Sequence, residues 1–289
     1  SDRGVLAADA TLGGSSLQQR VLSAVIFVPS VLLLVEVGEW TLYALVVVIV
    51  GRCSWEFYRI LEQAGYRPLI LPGSILAMGV CTHFRRLEQG QLTNDELVLQ
   101  LMAVVLILLV WTLRHGGVER FAANAFLTLG GVLFFGLLGS APLLLVQMAG
   151  PGAEGRHLVA VLFVCIWLAD SAAYFSGRQW GETKLAPMIS PNKTRVGLVG
   201  GIVGSLMPMG LISLLPSFSP QALMGLLLIA GIGGQIGDLV ESAIKRDVGV
   251  KDAPALIPGH GGLLDRFDSY FFAFPLAYLY VDMLAIFEK

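Results

Sequence analysis

The sequence predicts an all-α fold: a polytopic integral membrane protein, with about nine transmembrane helices in one bundle. Three observations predict it. The chain is 55% hydrophobic and only 14% charged, with a mean hydropathy of +0.75, whereas soluble domains are about 45–50% apolar and about 25% charged. Apolar runs approaching or reaching the roughly 17–25 residues that cross a hydrocarbon layer recur along the chain. Lys and Arg are distributed unevenly between alternate connections.

Taken in order, residues 1–20 (SDRGVLAADATLGGSSLQQR) are mildly polar and lack the apolar core of a signal peptide. The chain does not open on Met, so a processed or trimmed chain is expected. Spans are predicted near 21–35, 40–51, 69–83, 97–113, 121–148, 157–177, 196–215, 221–240 and 268–286. The first two are short and separated by Glu36 to Glu39, which suits either two tilted helices or one re-entrant hairpin. Short connections favour one bundle. Residues 21–150 would be its N-terminal helices and 151–289 a catalytic region with loops at one membrane face.

With nine spans and a cytoplasmic N-terminus, all of the 19 Lys and Arg except Arg85, Arg86, Arg156 and Lys289 fall inside. That is the asymmetry of a polytopic protein. The net charge of −2 gives no reason to expect nucleic acid. Cys53, Cys81 and Cys165 are widely separated in or beside apolar runs and read as packing residues, not as a metal or redox set.

Three charged clusters fall on the same predicted face. In WLADSAAYFSGRQWG (167–181), Asp170 lies inside an apolar span, with Ser171 and Tyr174 on its side of the helix. An ionisable group at that depth faces a cavity or a partner; an Arg on a neighbouring helix would be the structural partner. In ISPNKTRVGLVGG (189–201), Ser190 and Pro191 open a turn, and Lys193 and Thr194 precede a Gly-rich helix start. Exposed backbone N–H groups, a Lys and a hydroxyl together favour phosphate, although a basic loop beside a span also serves topology alone. The third cluster, GQIGDLVESAIKRDVGVKDAPALIPGHGGLLDRFD (234–268), is the densest. Asp238, Glu241, Ser242 and Lys245 share one helix face through their spacing of three and four. Asp265 and Asp268 open the last span, and the glycines at 259, 261 and 262 let backbone approach closely and bring His260 to a loop tip. Two carboxylate pairs arriving from two helix ends suit a hard cation such as Mg²⁺. Lys245, Arg246, Lys251 and Arg266 add positive charge beside it. Such a set suits a polyphosphate, and its place at the membrane makes a lipid the natural second substrate.

The run Ser242-Ala-Ile-Lys245-Arg246, Lys251-Asp252, Pro258-Gly-His260-Gly261-Gly262-Leu-Leu-Asp265-Arg266-Phe-Asp268 resembles the signature of phosphatidate cytidylyltransferases, or CDP-diacylglycerol synthases. The resemblance extends to Trp167, Asp170, Ala173, Tyr174, Gly177 and Arg178, to Ser190, Pro191, Lys193 and Thr194, and to Gln19-Arg20-Val21 and Trp55-Glu56-Phe57-Tyr58. It implies conversion of CTP and phosphatidate into CDP-diacylglycerol and pyrophosphate. It implies Mg²⁺ held by Asp238 and Asp265, with Glu241 and Asp268 as further ligands or supports, and a monovalent cation such as K⁺ beside it. Lys193, Lys245, Arg246 and Arg266 would contact phosphates, and His260 would donate to phosphate or orient Asp265. Asp170, Ser190, Thr194, Ser242, Lys251, Asp252, Gly261 and Gly262 would line the substrate site. A homodimer is implied, in a bacterial inner membrane or a plastid membrane, with the active site on the cytoplasmic or stromal side. Two departures stand out: Pro254 replaces a small residue, and Arg195-Val196 replace an aromatic residue and a Glu. The rival readings are another CTP-dependent lipid enzyme (a polyprenol or phytol kinase, or an ether-lipid cytidylyltransferase) and an ion-coupled transporter. A kinase would release CDP, and a transport site would lie near the midplane.

Overall fold

The computed structural model describes residues 26–88, 93–116, 118–148, 153–250 and 262–287. Helix α1 (Ile26–Val37) breaks at Gly38, and α2 (Glu39–Gln63) follows at once. The Thr41 hydroxyl lies 2.6 Å from the Leu34 carbonyl and 2.7 Å from that of Gly38, so the broken end of α1 is not left without a donor. The second span was expected to end near residue 51, but α2 carries Trp55–Tyr58 and continues to Gln63. Its polar residues remain helical because they are satisfied. Glu56 pairs with Arg52, and the Tyr58 hydroxyl donates to the Thr128 carbonyl at 2.8 Å.

Helices α3 (Ile70–Glu88), α4 (Asn94–Gly116) and α5 (Phe121–Leu133) complete the N-terminal half. A π-helical segment, Phe134–Leu138, separates α5 from α6 (Ala141–Met148). The Gly139 carbonyl just beyond it accepts the Tyr270 hydroxyl at 2.6 Å, which is how an irregular turn can be stabilised inside a bundle.

In the C-terminal half, α7 (Glu154–Trp180) packs on α8 (Arg195–Gly204) through small residues. A Cβ on Gly204 would sit 2.4 Å from that of Ala172, and one on Gly201 would sit 3.1 Å from the Ala169 carbonyl. Close backbone approach of this kind is how helices associate without a hydrophobic driving force. The span expected at 196–215 is interrupted: α8 ends at Gly204, and a 3₁₀ helix, Met207–Leu214, follows. Helix α9 (Pro220–Asp247) begins with Ser219 as its cap and Pro220 in the first turn. It runs past the expected end at 240, so Glu241, Ser242 and Lys245 are helical. The short α10 (Leu264–Phe267) and then α11 (Tyr270–Phe287) close the chain.

The all-α expectation needs one correction. Between α7 and α8 lies an antiparallel hairpin, β1 (Lys184–Ala186) and β2 (Ser190–Thr194), with Lys184 opposite Thr194 and Ala186 opposite Ser190. Ser190 and Pro191 are therefore strand residues and do not open a turn. A short polar two-strand ladder carries no hydrophobic alternation to announce it.

Buried aromatic side chains from three segments, including Phe135, Phe163, Phe271 and Phe274, form the centre of the core. Among the described residues, five stretches are long and apolar enough to cross a membrane: Val98–His115, Phe121–Met148, Glu154–Trp180, Arg195–Leu214 and Pro220–Asp247. Helix α4 turns Leu99, Leu106 and Val110 outward, which suits lipid rather than water. The protein is a multi-pass membrane protein built mostly of α-helix.

Candidate active site

Helix α9 provides the floor of the site. Asp238, Glu241, Ser242 and Lys245 lie along one face, and the Ser242 hydroxyl donates to Asp238 Oδ1 at 3.3 Å. The hairpin then brings in Lys193, whose ammonium lies 2.6 Å from Asp238 Oδ2. The hairpin connects to α8 through Thr194, which is buried and accepts the Gly197 N–H at 3.0 Å. Thr194 thus serves as the helix cap.

Helix α10 brings in Asp265. Its Oδ1 lies 2.7 Å from the Lys245 ammonium, and its Oδ2 accepts the Gly262 N–H at 3.2 Å. Lys245 also lies 2.6 Å from Glu241 Oε2. One ammonium therefore holds two carboxylates from two helices. Behind them is a small apolar cavity bounded by Phe57, Phe134, Phe135, Ile244 and Leu264. That wall keeps the local dielectric low and strengthens the pairing.

Asp268 lies in the turn between α10 and α11. Burial, and then the nearby carboxylates of Asp238, Glu241 and Asp170, push its carboxyl well above the usual range. Asp170 is exposed on α7, close to Ser269, and the charges acting on it are Asp238 and Lys193. The cation beside it is thus a lysine from the hairpin, not an arginine. Ser171 and Tyr174 are exposed on the same helix; Ser171 donates to the Trp167 carbonyl, and Tyr174 meets Arg178.

Other expected site residues are placed differently. Arg246 points toward backbone, with Nε donating to the Ile189 carbonyl at 3.3 Å and Nη1 to that of Val250 at 3.4 Å. It ties the end of α9 to the hairpin turn. Ser190 is half-buried in β2, and Arg266 lies on the exposed side of α10. Lys251, Asp252, Pro254, His260 and Gly261 lie outside the described residues.

The sequence reading gave no site role to Glu56, which it named only within the resemblance, and none to Gln235. Glu56 of α2 is fully buried beside the site. Its signal was available as an acid inside an apolar run. Gln235 is buried on α9 and donates to the Leu198 carbonyl of α8 at 3.1 Å. A glutamine amid glycines gave no such signal.

Asp238, Glu241, Asp265 and Asp268 are hard oxygen donors of the kind Mg²⁺ takes. Glu241 Oε1 is buried and accepts no hydrogen bond from the described residues. Among those residues, no three His, Cys, Asp or Glu side chains are already gathered around one point. Lysine ammoniums stand between the acids instead. The donors are of the type that a divalent ion takes, and the described side chains are not gathered around one point.

The sequence profile of the Cytidylyltransferase family matches residues 18–284. The chain is 34% identical over 280 residues to the phosphatidate cytidylyltransferase of Bacillus subtilis, covering 94% of this chain and 99% of that one. It is 37% identical over 210 residues to the phosphatidate cytidylyltransferase of Staphylococcus saprophyticus, covering 72% and 78% of the two chains. The Staphylococcus haemolyticus protein of the same name is 36% identical over 208 residues, covering 71% and 77%.

Proposed function

The chain belongs to the cytidylyltransferase family, and from that premise we propose that it transfers the cytidylyl group of CTP to phosphatidate, giving CDP-diacylglycerol and pyrophosphate. The observation that carries the reading is the meeting of carboxylates from α9 and α10 with Lys193 and Lys245, with Asp170 of α7 and Asp268 of the following turn close by.

A phosphate oxygen of phosphatidate forms a bond to the α-phosphorus of CTP. The bond from that phosphorus to the oxygen bridging the β-phosphate breaks, and pyrophosphate leaves with the electron pair. A phosphomonoester loses its second proton near pH 6, so the nucleophile is already charged and needs alignment more than a strong base. Lys245 has three N–H donors. Asp265 accepts one of them, the Glu241 carboxylate pairs with the same ammonium, and a phosphate oxygen would take a remaining donor. Lys193 is engaged by Asp238 and has donors to spare. Arg246, Arg266 and Lys251 supply positive charge around the triphosphate. Asp238 and Asp265 are the residues to hold Mg²⁺, with Glu241 and Asp268 as further ligands and a monovalent cation such as K⁺ nearby. The bound ion supplies charge screening on the triphosphate and the leaving pyrophosphate. Asp170, Ser190, Thr194, Ser242, Asp252, Gly261 and Gly262 shape the substrate site, and His260 donates to phosphate or orients Asp265.

The Lys and Arg asymmetry supports about nine spans, with residues 21–150 as scaffold, 151–289 as the catalytic region and the site on the cytoplasmic or stromal side. The assembly proposed is a homodimer. The test is purified protein in detergent with CTP, phosphatidate and Mg²⁺. Pyrophosphate is expected only when phosphatidate is present; CDP release would point instead to a lipid kinase. Asp265→Asn is expected to lower turnover by about a hundredfold, and turnover near wild type would refute the metal-ligand assignment.

A further inference from the structure

Glu56 sits in α2, 208 residues from its partner in α10. It is 0% exposed. A buried carboxylate is costly unless it is paired and hydrogen-bonded, and this one is both. Its Oε1 accepts Arg52 Nε at 2.8 Å, and its Oε2 accepts the Leu264 N–H at 2.8 Å. Arg52 is held in turn over the Trp55 ring, 4.2 Å from its centre. Leu264 begins α10, and the next residue is Asp265, whose carboxylate meets Lys245 and the Gly262 N–H. An unbroken series of contacts therefore runs from Trp55 and Arg52 through Glu56 to the backbone that carries Asp265.

We propose that Glu56 is a positioning residue: by clamping the Leu264 N–H it sets where the Asp265 carboxylate stands relative to Lys245 and Glu241. The link to turnover rests on the reading of Asp265 given above; the clamp itself does not. A group that orients a ligating side chain commonly matters by about 10–100-fold in metal affinity or activity.

The test is Glu56→Gln in detergent, read in two ways. The glutamine keeps the shape but offers one acceptor oxygen where the carboxylate offered two, so its amide N–H₂ must face either Arg52 or the Leu264 N–H, donor against donor. Hydrogen exchange over residues 262–267 is expected to speed about tenfold, with the rest of α2 and α11 unchanged. The Mg²⁺ concentration for half-maximal activity is expected to rise about tenfold, with KM for CTP within about twofold. Glu56→Asp keeps the charge but shortens the reach by one methylene. It is expected to show the same selective loosening and keeps the test open if the Gln variant does not fold. Unchanged exchange over 262–267 in both variants would overturn the proposal. So would loosening spread evenly through the bundle with an unchanged Mg²⁺ requirement, which is the mark of a merely structural residue. If the wild type releases no pyrophosphate from CTP, the proposed reaction fails, and the exchange measurement still decides the clamp.

Discussion

The site contains two lysine–carboxylate arrangements of different kinds. At the outer one, Lys193 pairs with Asp238 alongside Asp170, with the Lys193 and Asp238 side chains 22% and 34% exposed. At the inner one, Lys245 holds Glu241 and Asp265 together, with the lysine 11% exposed and Glu241 9% exposed. The outer pair joins a surface hairpin to a helix, while the inner triad joins two helices against an apolar wall. The difference teaches that the same chemistry serves two purposes. Water screens the outer pair and makes it cheap to open. The inner lysine cannot leave without removing the ammonium that two acids share.

The strongest way to break this contrast is Lys245→Met. It removes the ammonium that Glu241 and Asp265 share, and a loss of about 3 kcal/mol in stability is expected. Thermal unfolding in detergent reads the stability, and pyrophosphate release should vanish with it. Next comes Gly237→Ala, which tests whether the turn carrying Asp268 is held at a fixed distance from α9. Its new Cβ would sit 2.6 Å from the Asp268 carbonyl. Overpacking of that kind costs about 1–3 kcal/mol, and a displaced carboxylate lowers turnover by up to about a hundredfold; turnover at wild-type level would show that the turn yields freely. The smallest effect on stability is expected from Lys193→Met, at most about 1 kcal/mol, with KM for CTP rising about tenfold. A melting temperature lowered as far as by Lys245→Met would erase the distinction between the two arrangements.

Much of the site was legible before the structure. The spacing of Asp238, Glu241, Ser242 and Lys245 places them on one face in any helix, because 3.6 residues per turn leaves no other outcome. The helix start after Thr194 was legible too, since a threonine ahead of a Gly-rich run is a cap in waiting. The hairpin at 184–194 was not, because a short polar strand pair has no periodicity to read. The break of the 196–215 span was also missed: hydropathy reports how apolar a stretch is and not whether its hydrogen bonding stays α-helical. That Arg246 donates to two backbone carbonyls was not legible either, since it depends on where the hairpin turn lies.

The sequence by itself determined the membrane setting, the mostly helical class and the family. Those properties follow from hydropathy, helical period and motif, all of which are local along the chain. Only the tertiary structure decided that Lys193 meets Asp238, that Asp265 joins Lys245, and that Glu56 reaches Leu264. Those pairings join residues far apart in sequence, through helix packing that glycine and aromatic faces permit. No local pattern encodes the distance at which two helices come to rest.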